Sequence, residues 1–314
     1  MSTAGPPLNA RRKAVGMTIE TTSGTAETPS SVLANTQVLE VECNPMGFFD
    51  GGESRPVGLH GGAGPRTKTL ERGQLTMKTR MRHGDATLAL LQLCGFVLSG
   101  DDDEIATPYW TDFSQRETGT FRVWEGGRYK GIYGANGTAV IKPTGPGGPI
   151  DIDWDFQGVW IPPADQTQPS DPTFSTAAYR NAGMTFELAS AVIPQFSEWE
   201  LNIGAEVAPR QDVTVTSGLH RYQVEDGFPM LTIDPEARLV AQYNAYGIFR
   251  QGTKQAAEIV LTDGTNTTTI DLPATQVVDM SSGAREKKLL DNMTLECQKD
   301  TNGVDIKFTE STGL

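Results

Sequence analysis

The chain has 314 residues, 37% of them hydrophobic, enough to bury one large core or two ordinary ones without staples. Its 39 acidic and 26 basic residues give a formal net charge of -13, which argues against a role built on gripping phosphates, since each neutralised phosphate must be met by Lys or Arg. Cys43, Cys94 and Cys297 are odd in number and widely spaced, so free thiols in a reducing compartment are expected rather than a disulfide framework. Residues 1–16 carry Arg11, Arg12 and Lys13 with no apolar run behind them, and the longest apolar stretch, 86–98, is broken by Gln92 and Gly95. Neither a secretory signal nor a spanning helix of about 20 residues is expected, and the chain reads as a soluble protein made in a cytoplasm.

Residues 1–35 are rich in Thr, Ser, Ala, Gly and Pro, lack periodicity, and read as an N-terminal arm that needs a partner to become ordered. A first β domain is expected over 36–161: a strand at 37–43, a Gly-rich loop at 44–68, a long strand at 70–82, and a short helix at 86–94 that starts behind an Asp85 cap and stops at Gly95. An acidic insertion at 100–119 follows, then strands at 120–125, 128–133, 138–142 and 150–160 separated by Gly126-Gly127 and Asn136-Gly137 turns. The stretch 162–180, rich in Pro, Gln, Ser and Asp, reads as a linker. A second domain over 181–314 repeats the order. It has a strand at 199–203, a loop at 204–227, a strand at 230–239 and a helix near 240–249. Strands at 258–261 and 267–272 then flank Asp263-Gly264, followed by strands at 274–280 and 289–298.

Short identities mark the register of that repeat. Gly58-Leu59-His60 recurs as Gly218-Leu219-His220, and Leu75-Thr76-Met77 as Leu231-Thr232-Ile233, about 160 positions on, with the acidic insertion accounting for the shorter spacing afterwards. The expected fold class is mainly β, two tandem sandwich or barrel domains with one short helix each.

No residues for catalysis, cofactor binding or metal ligation stand out, so neither an enzyme nor a cofactor is expected. His60, His83 and His220 lack Cys or carboxylate neighbours at ligand spacing. The Gly-rich 58–64 loop lacks a phosphate-loop ending, the acidic run Asp101 to Glu104 lacks the Gly and distal Glu of a calcium loop, and no Ser sits in a Gly-x-Ser-x-Gly elbow. The most informative segment is 151–156, where alternation puts Asp151, Asp153 and Asp155 on one face of a strand and Ile152, Trp154 and Phe156 on the other. Arg72, Lys78, Arg80 and Arg82 lie on the polar face of the 70–82 strand, and a late strand of the second domain alternates likewise, with Asn292, Thr294 and Glu296 against Met293, Leu295 and Cys297.

The segments 20–26, 58–66, 91–96, 122–142, 150–163 and 201–209 together resemble, over nearly the whole chain, the tail tube proteins of long-tailed bacteriophages. That resemblance implies rings whose sheets join edge to edge into a β-barrel, stacked into a tube that conducts DNA without binding it specifically, in a virion tail assembled in the host cytoplasm. It implies no membrane, and as partners further copies of the chain and the tail terminator, tape measure and tail-tip proteins. Two domains per chain imply a trimeric, pseudo-hexameric ring, with a hexamer as the alternative. Asp151, Asp153, Asp155, Asn292, Thr294, Glu296, Arg72, Lys78 and Arg80 become lumen candidates. Phe48, Phe49, Arg55, Leu59, His60, Arg66, Arg210, Leu219, His220 and Tyr222, from the two long loops, become ring-stacking candidates. A tail-tip or receptor-binding module is the competing expectation, with Tyr109, Trp110, Trp124 and Trp160 as a glycan platform.

Overall fold

The computed structural model describes residues 13–47, 68–99, 104–106, 116–189, 191–192 and 196–312. In the first half these form β1 (Lys13–Ile19), β2 (Gln37–Met46), β3 (Arg72–Arg80), α1 (Thr87–Gln92), β4 (Val97–Ser99), β5 (Glu104–Ala106), β6 (Gly119–Glu125), β7 (Arg128–Pro143) and β8 (Ile150–Asp165). The second half forms β9 (Thr185–Leu188), β10 (Ala191–Val192), β11 (Trp199–Asn202), β12 (Ala205–Gln211), β13 (Leu219–Gly227), β14 (Met230–Ile233), α2 (Ala245–Gln251), β15 (Lys254–Thr262), β16 (Asn266–Arg285), β17 (Lys288–Cys297) and β18 (Lys307–Thr312). The chain is mainly β, and two-residue periodicity explains why. Along β3, Gly73, Leu75, Met77 and Thr79 are buried, while Arg72, Gln74, Thr76, Lys78 and Arg80 keep contact with solvent.

Among the described residues, 16 strands belong to one sheet, and β12 and β13 form a separate antiparallel ribbon. The first half runs β2-β3-β8-β7, with β6 and then β1 on the other side of early β7. The second runs β11-β14-β17-β16, with β15 and then β9 on the other side of early β16. The two series match position by position in chain order. β6 leaves β7 at Ala135, and the freed edge of β7 takes β11 instead. Ile141 then faces Leu201, Val140 faces Asn202, and the Ile203 N–H donates to the Ala139 carbonyl at 2.9 Å. The halves are thus one hydrogen-bonded band, and one cluster of buried side chains serves both. Within it Phe156 stacks on Trp154 and meets Phe121, with centroids 5.8 and 4.6 Å away, each such ring contributing roughly 1.5–3 kcal/mol by burial.

Several expectations fail, and each failure has a cause in pairing. Asn136-Gly137 is not a turn. It sits at a bulge within the unbroken β7, where Gly134 takes φ +56° and the Asn136 amide donates to the Leu93 and Glu117 carbonyls. The strands expected at 267–272 and 274–280 are likewise one strand, β16. It turns into β17 through Glu286 and Lys287, both at positive φ without a glycine. The loop expected at 204–227 holds the β12–β13 ribbon, and the strand at 230–239 ends at Ile233. The expected arm contains β1, paired along its length with β6, and the expected linker opens with the end of β8. Asp85 lies one residue before the N-cap of α1, Ala86, and accepts from the Thr87 and Arg82 N–H groups at 2.7 and 2.9 Å.

Candidate functional site

The register places one polar row after another across the whole band. In one row Glu40 (β2) neighbours Lys78 (β3), Asp153 (β8) and Val140 (β7), and the row crosses to Asn202 (β11), Met230 (β14), Glu296 (β17) and Gln276 (β16). A second row runs from Glu42 through Thr76 and Asp155 to Thr138. The face is concave in two places. A shallow trough of about 780 Å³ lies over Glu40, Glu42, Lys78, Thr138, Asp153 and Asp155. Another of about 460 Å³ lies at the junction of the halves, over Lys142, Glu200, Thr232 and Asn292.

Alternation brings Asp151, Asp153 and Asp155 to one face, as expected, and pairing then gives each a partner. Asp151, only 2% exposed, receives the Arg80 Nε at 3.1 Å and has the Lys78 ammonium at 3.7 Å. Asp153 binds Lys142 at 2.8 Å, with Lys78 3.9 Å away, and this hydrogen bond raises the Lys142 pKa. Asp155 accepts from the Gln74 amide at 2.7 Å. The burial of Asp151 beneath Lys78 and Arg80 means that this carboxylate faces its own chain, so it is corrected from an open face residue to an internal ion pair.

The second half carries Asn292, Thr294 and Glu296 on the same face of β17, beside Ser281, Asp279 and Gln276 of β16. Its rows hold Glu200, Asp279 and Glu296, with Lys254 of β15 beside Gln276 and Arg285 opposite Lys288 at the far ends of β16 and β17, whereas the first-half rows set Lys78, Arg80 and Lys142 against five carboxylates. Arg72 leaves this set: at the end of β3 its guanidinium is set toward the Tyr222 hydroxyl, where its charge opposes the rise in the phenol pKa that burial causes. What the face can do chemically is limited. It offers acidic, partly self-neutralised, wet surface, with repulsion toward polyanions and no paired nucleophile and base. Among the described residues no cluster of His, Cys, Asp or Glu could hold a metal ion. Burial pushes the Cys43 and Cys297 thiols up to about 12 and Cys94 further still, so all three are unreactive.

The other expected site residues divide sharply. Phe48, Phe49, Arg55, Leu59, His60 and Arg66 lie outside the described residues. Leu219 and Tyr222 are corrected: they are buried with Val159 in a small core where the β12–β13 ribbon lies over β7 and β8, so neither is open to another subunit. Arg210 is exposed on β12. His220 backs onto Gly24, where a Cβ would come within 2.5 Å of the imidazole. Of the expected glycan platform, Tyr109 and Trp110 lie outside the described residues, while Trp124 and Trp160 are 1% and 8% exposed and cannot stack on a sugar.

A buried anion that the sequence reading passed over is Glu20. It accepts from the Thr118 and Thr120 hydroxyls at 2.6 and 2.7 Å and from the Gly24 and Gly134 N–H groups at 2.7 Å each. It locks the segment after β1 onto β6 and the β7 bulge, and only the recurring Thr at 118 and 120 hinted at it.

Fold and face together define a mainly-β protein whose two halves share a sheet, with the described helices too short to cross a membrane. The chain matches no protein-family model, and no curated protein is significantly similar to it.

Proposed function

We propose that this chain is the structural subunit of a bacteriophage tail tube. In this reading the chain is two like domains, each with one short helix, that stack as rings around a lumen through which DNA passes. The observation that carries it is the repeated strand order: six strands pair in one sequence in the first half and in the same sequence in the second, and the halves meet edge to edge. A module that joins its own copy in this way is suited to joining further copies, and closing a ring removes the exposed edges that otherwise invite uncontrolled pairing. The polar face supports the same reading, because a net-acidic, self-neutralised wall does not collect phosphates. Asp153, Asp155, Thr294 and Glu296 are the wall residues on this reading, and three chains supply six domains per ring.

Negative-stain microscopy of the purified chain tests the proposal. Uniform hollow rings or filaments, with three chains per ring by mass, are the expected outcome; a chain that stays monomeric at high concentration would defeat it. Replacing Asp153, Asp155 and Glu296 together by Lys is expected to leave assembly intact and to make the tubes retain DNA at low salt, with retention lost as salt rises. Tubes that release DNA as the parent does would remove these residues from the wall.

A further inference from the structure

The internal junction of the two halves is a template for a contact between chains. After β6 departs, the outer edge of β7 at residues 139–141 is taken by β11. The matching stretch of the second half is β16 beyond Gln276, where β15 departs. Among the described residues nothing pairs with that edge from 277 to 285. The unused hydrogen bonds show there: the Met280 N–H is met by the carboxylate of its neighbour Asp279, at 2.9 Å. At the opposite end of the band, the outer edge of β2 is the match for the edge of β11 that binds β7, and no described strand pairs with it. The Val41 carbonyl on that edge takes the Lys13 ammonium at 3.0 Å instead.

We infer that the outer edge of β2 in one copy of the chain pairs antiparallel with residues 279–285 of β16 in the next copy, repeating between chains the bond that joins the halves within one. The inference rests on the tube reading and names the two edges that close its ring.

The register follows from equivalent positions. Leu75 of β3 corresponds to Leu231 of β14, since each faces a buried apolar residue, Phe156 or Leu295, on the next strand. Stepping outward by pairing, Cys43 matches Leu201, and Asn44 matches Asn202. On the other side Ile141 matches Ser282 and Val140 matches Ser281, through their partners Ile152 with Asp291 and Asp153 with Asn292. The internal pairs Leu201 with Ile141 and Asn202 with Val140 therefore become Cys43 with Ser282 and Asn44 with Ser281 between copies. The same register sets Glu40 across from Arg285.

One difference is built in. Ile203, whose N–H bonds the Ala139 carbonyl, corresponds to Pro45, which has no N–H. Pro45 therefore offers only its carbonyl, to which the Met280 N–H can turn from Asp279. A proline on the outward side of an edge strand also blocks registers that need a donor there, which limits pairing to the intended neighbour.

Asn44 and Ser281 are both exposed, and opposed residues of this type have Cα atoms about 4.5 Å apart, within disulfide range. The full chain carrying Asn44→Cys and Ser281→Cys is oxidised mildly and run on a non-reducing gel. A ladder of linked chains is expected, and mixing the two single variants is expected to give linked dimers only. Glu40→Cys with Ser281→Cys, four positions out of register, is expected to give neither. The buried native thiols supply no background.

Rings or tubes by microscopy with no link in the Asn44–Ser281 pair, or with equal linking in the shifted pair, would overturn the edge assignment and leave the tube reading standing. If every variant and the parent chain remain monomers, both fall.

Discussion

α1 and α2 hold the same place in the strand order of their halves, after β3 and after β14, and they are kept folded by different means. In α1, Thr87, Leu90, Leu91 and Gln92 are buried, and its side-chain cap is absent. The residues that follow, Leu93, Cys94 and Phe96, are at most 1% exposed, and Phe96 meets Phe308 of β18 edge to face at 5.6 Å. α2 buries Ala245 alone. It has what α1 lacks: the Asn244 side chain accepts the Gly247 N–H at 2.8 Å, and Gly252 closes the helix at φ +62°. A short helix needs either caps or cover. α1 has the second half of the chain as cover; α2 lies at the outer end of the band, where Tyr246 and Phe249 remain 50% and 39% exposed. The comparison makes the junction of the halves the stabilising feature of the first half, and the outer end of the second half the place where something is still uncovered.

Stripping the cover from α1 is expected to cost the chain most. Phe308→Ala removes a fully buried ring between β18 and the residues after α1 and leaves a cavity. Destabilisation by about 3–5 kcal/mol is expected in urea unfolding, with both halves unfolding in one transition. A cost below about 1 kcal/mol, or two separate transitions, would mean that the halves stand independently and that β18 is not what holds α1 in place.

A middle effect comes from the charge beside α1. Loss of water around Asp85 pushes its pKa up to about 7, against lowering by its bonds to Thr87 and Arg82, and Glu310 of β18 raises it further. The unfolded carboxylate titrates near 4, so between pH 4 and 7 the folded chain holds the extra proton. The stability tied to Asp85 is therefore full below about pH 4, falls as pH rises to about 7, and is flat above. At α2 the side chain that meets the first-turn N–H groups is a neutral amide, that of the N-cap Asn244, and it carries no such dependence. Asp85→Asn is expected to flatten the pH profile of unfolding between pH 4 and 7, narrowing the difference between pH 5 and pH 8 by roughly 2–3 kcal/mol. An unchanged slope would place the titration elsewhere.

How much of this was legible in the sequence depends on how local the signal is. The alternation of 151–156 gave the face of each Asp, and the Gly126-Gly127 turn, with both glycines at positive φ, behaves as its composition suggests. The partners of those carboxylates were less legible: Lys142 faces them across the local β7–β8 hairpin, whose register its bulges shift, while Lys78 arrives on β3, from far back in the chain. Asn136-Gly137 misled for the same reason: its turn chemistry is strong, yet β8 runs past it and converts it to a bulge. Conversely Glu286-Lys287 makes a tight turn with no turn residue at all, because β16 and β17 pair up to its flanks, Arg285 and Lys288. The Gly, Pro and Asp content of 204–227 hid the β12–β13 ribbon, whose burial of Leu219 and Tyr222 comes from β7 and β8 of the other half.

The smallest expected effect on the isolated chain is the most telling about α2. Phe249 is the exposed apolar residue of the last turn of α2, and its neighbour Tyr246 reaches β16 through a 2.8 Å hydrogen bond to Ser282, inside the stretch 277–285 that among the described residues pairs with β17 alone. Val278 on the same stretch is 40% exposed. If a neighbouring copy covers α2 as the second half covers α1, then Phe249→Ser removes little from the lone chain, about 1 kcal/mol or less in urea unfolding. It removes apolar burial only when copies meet, so the concentration needed for assembly is expected to rise about tenfold, equivalent to about 1.4 kcal/mol per contact. A large loss of stability in the monomer would show that this face of α2 is packed within its own chain. Unchanged stability with unchanged assembly would leave α2 outside the contact, and the likeness of the two helices would then stop at their place in the strand order.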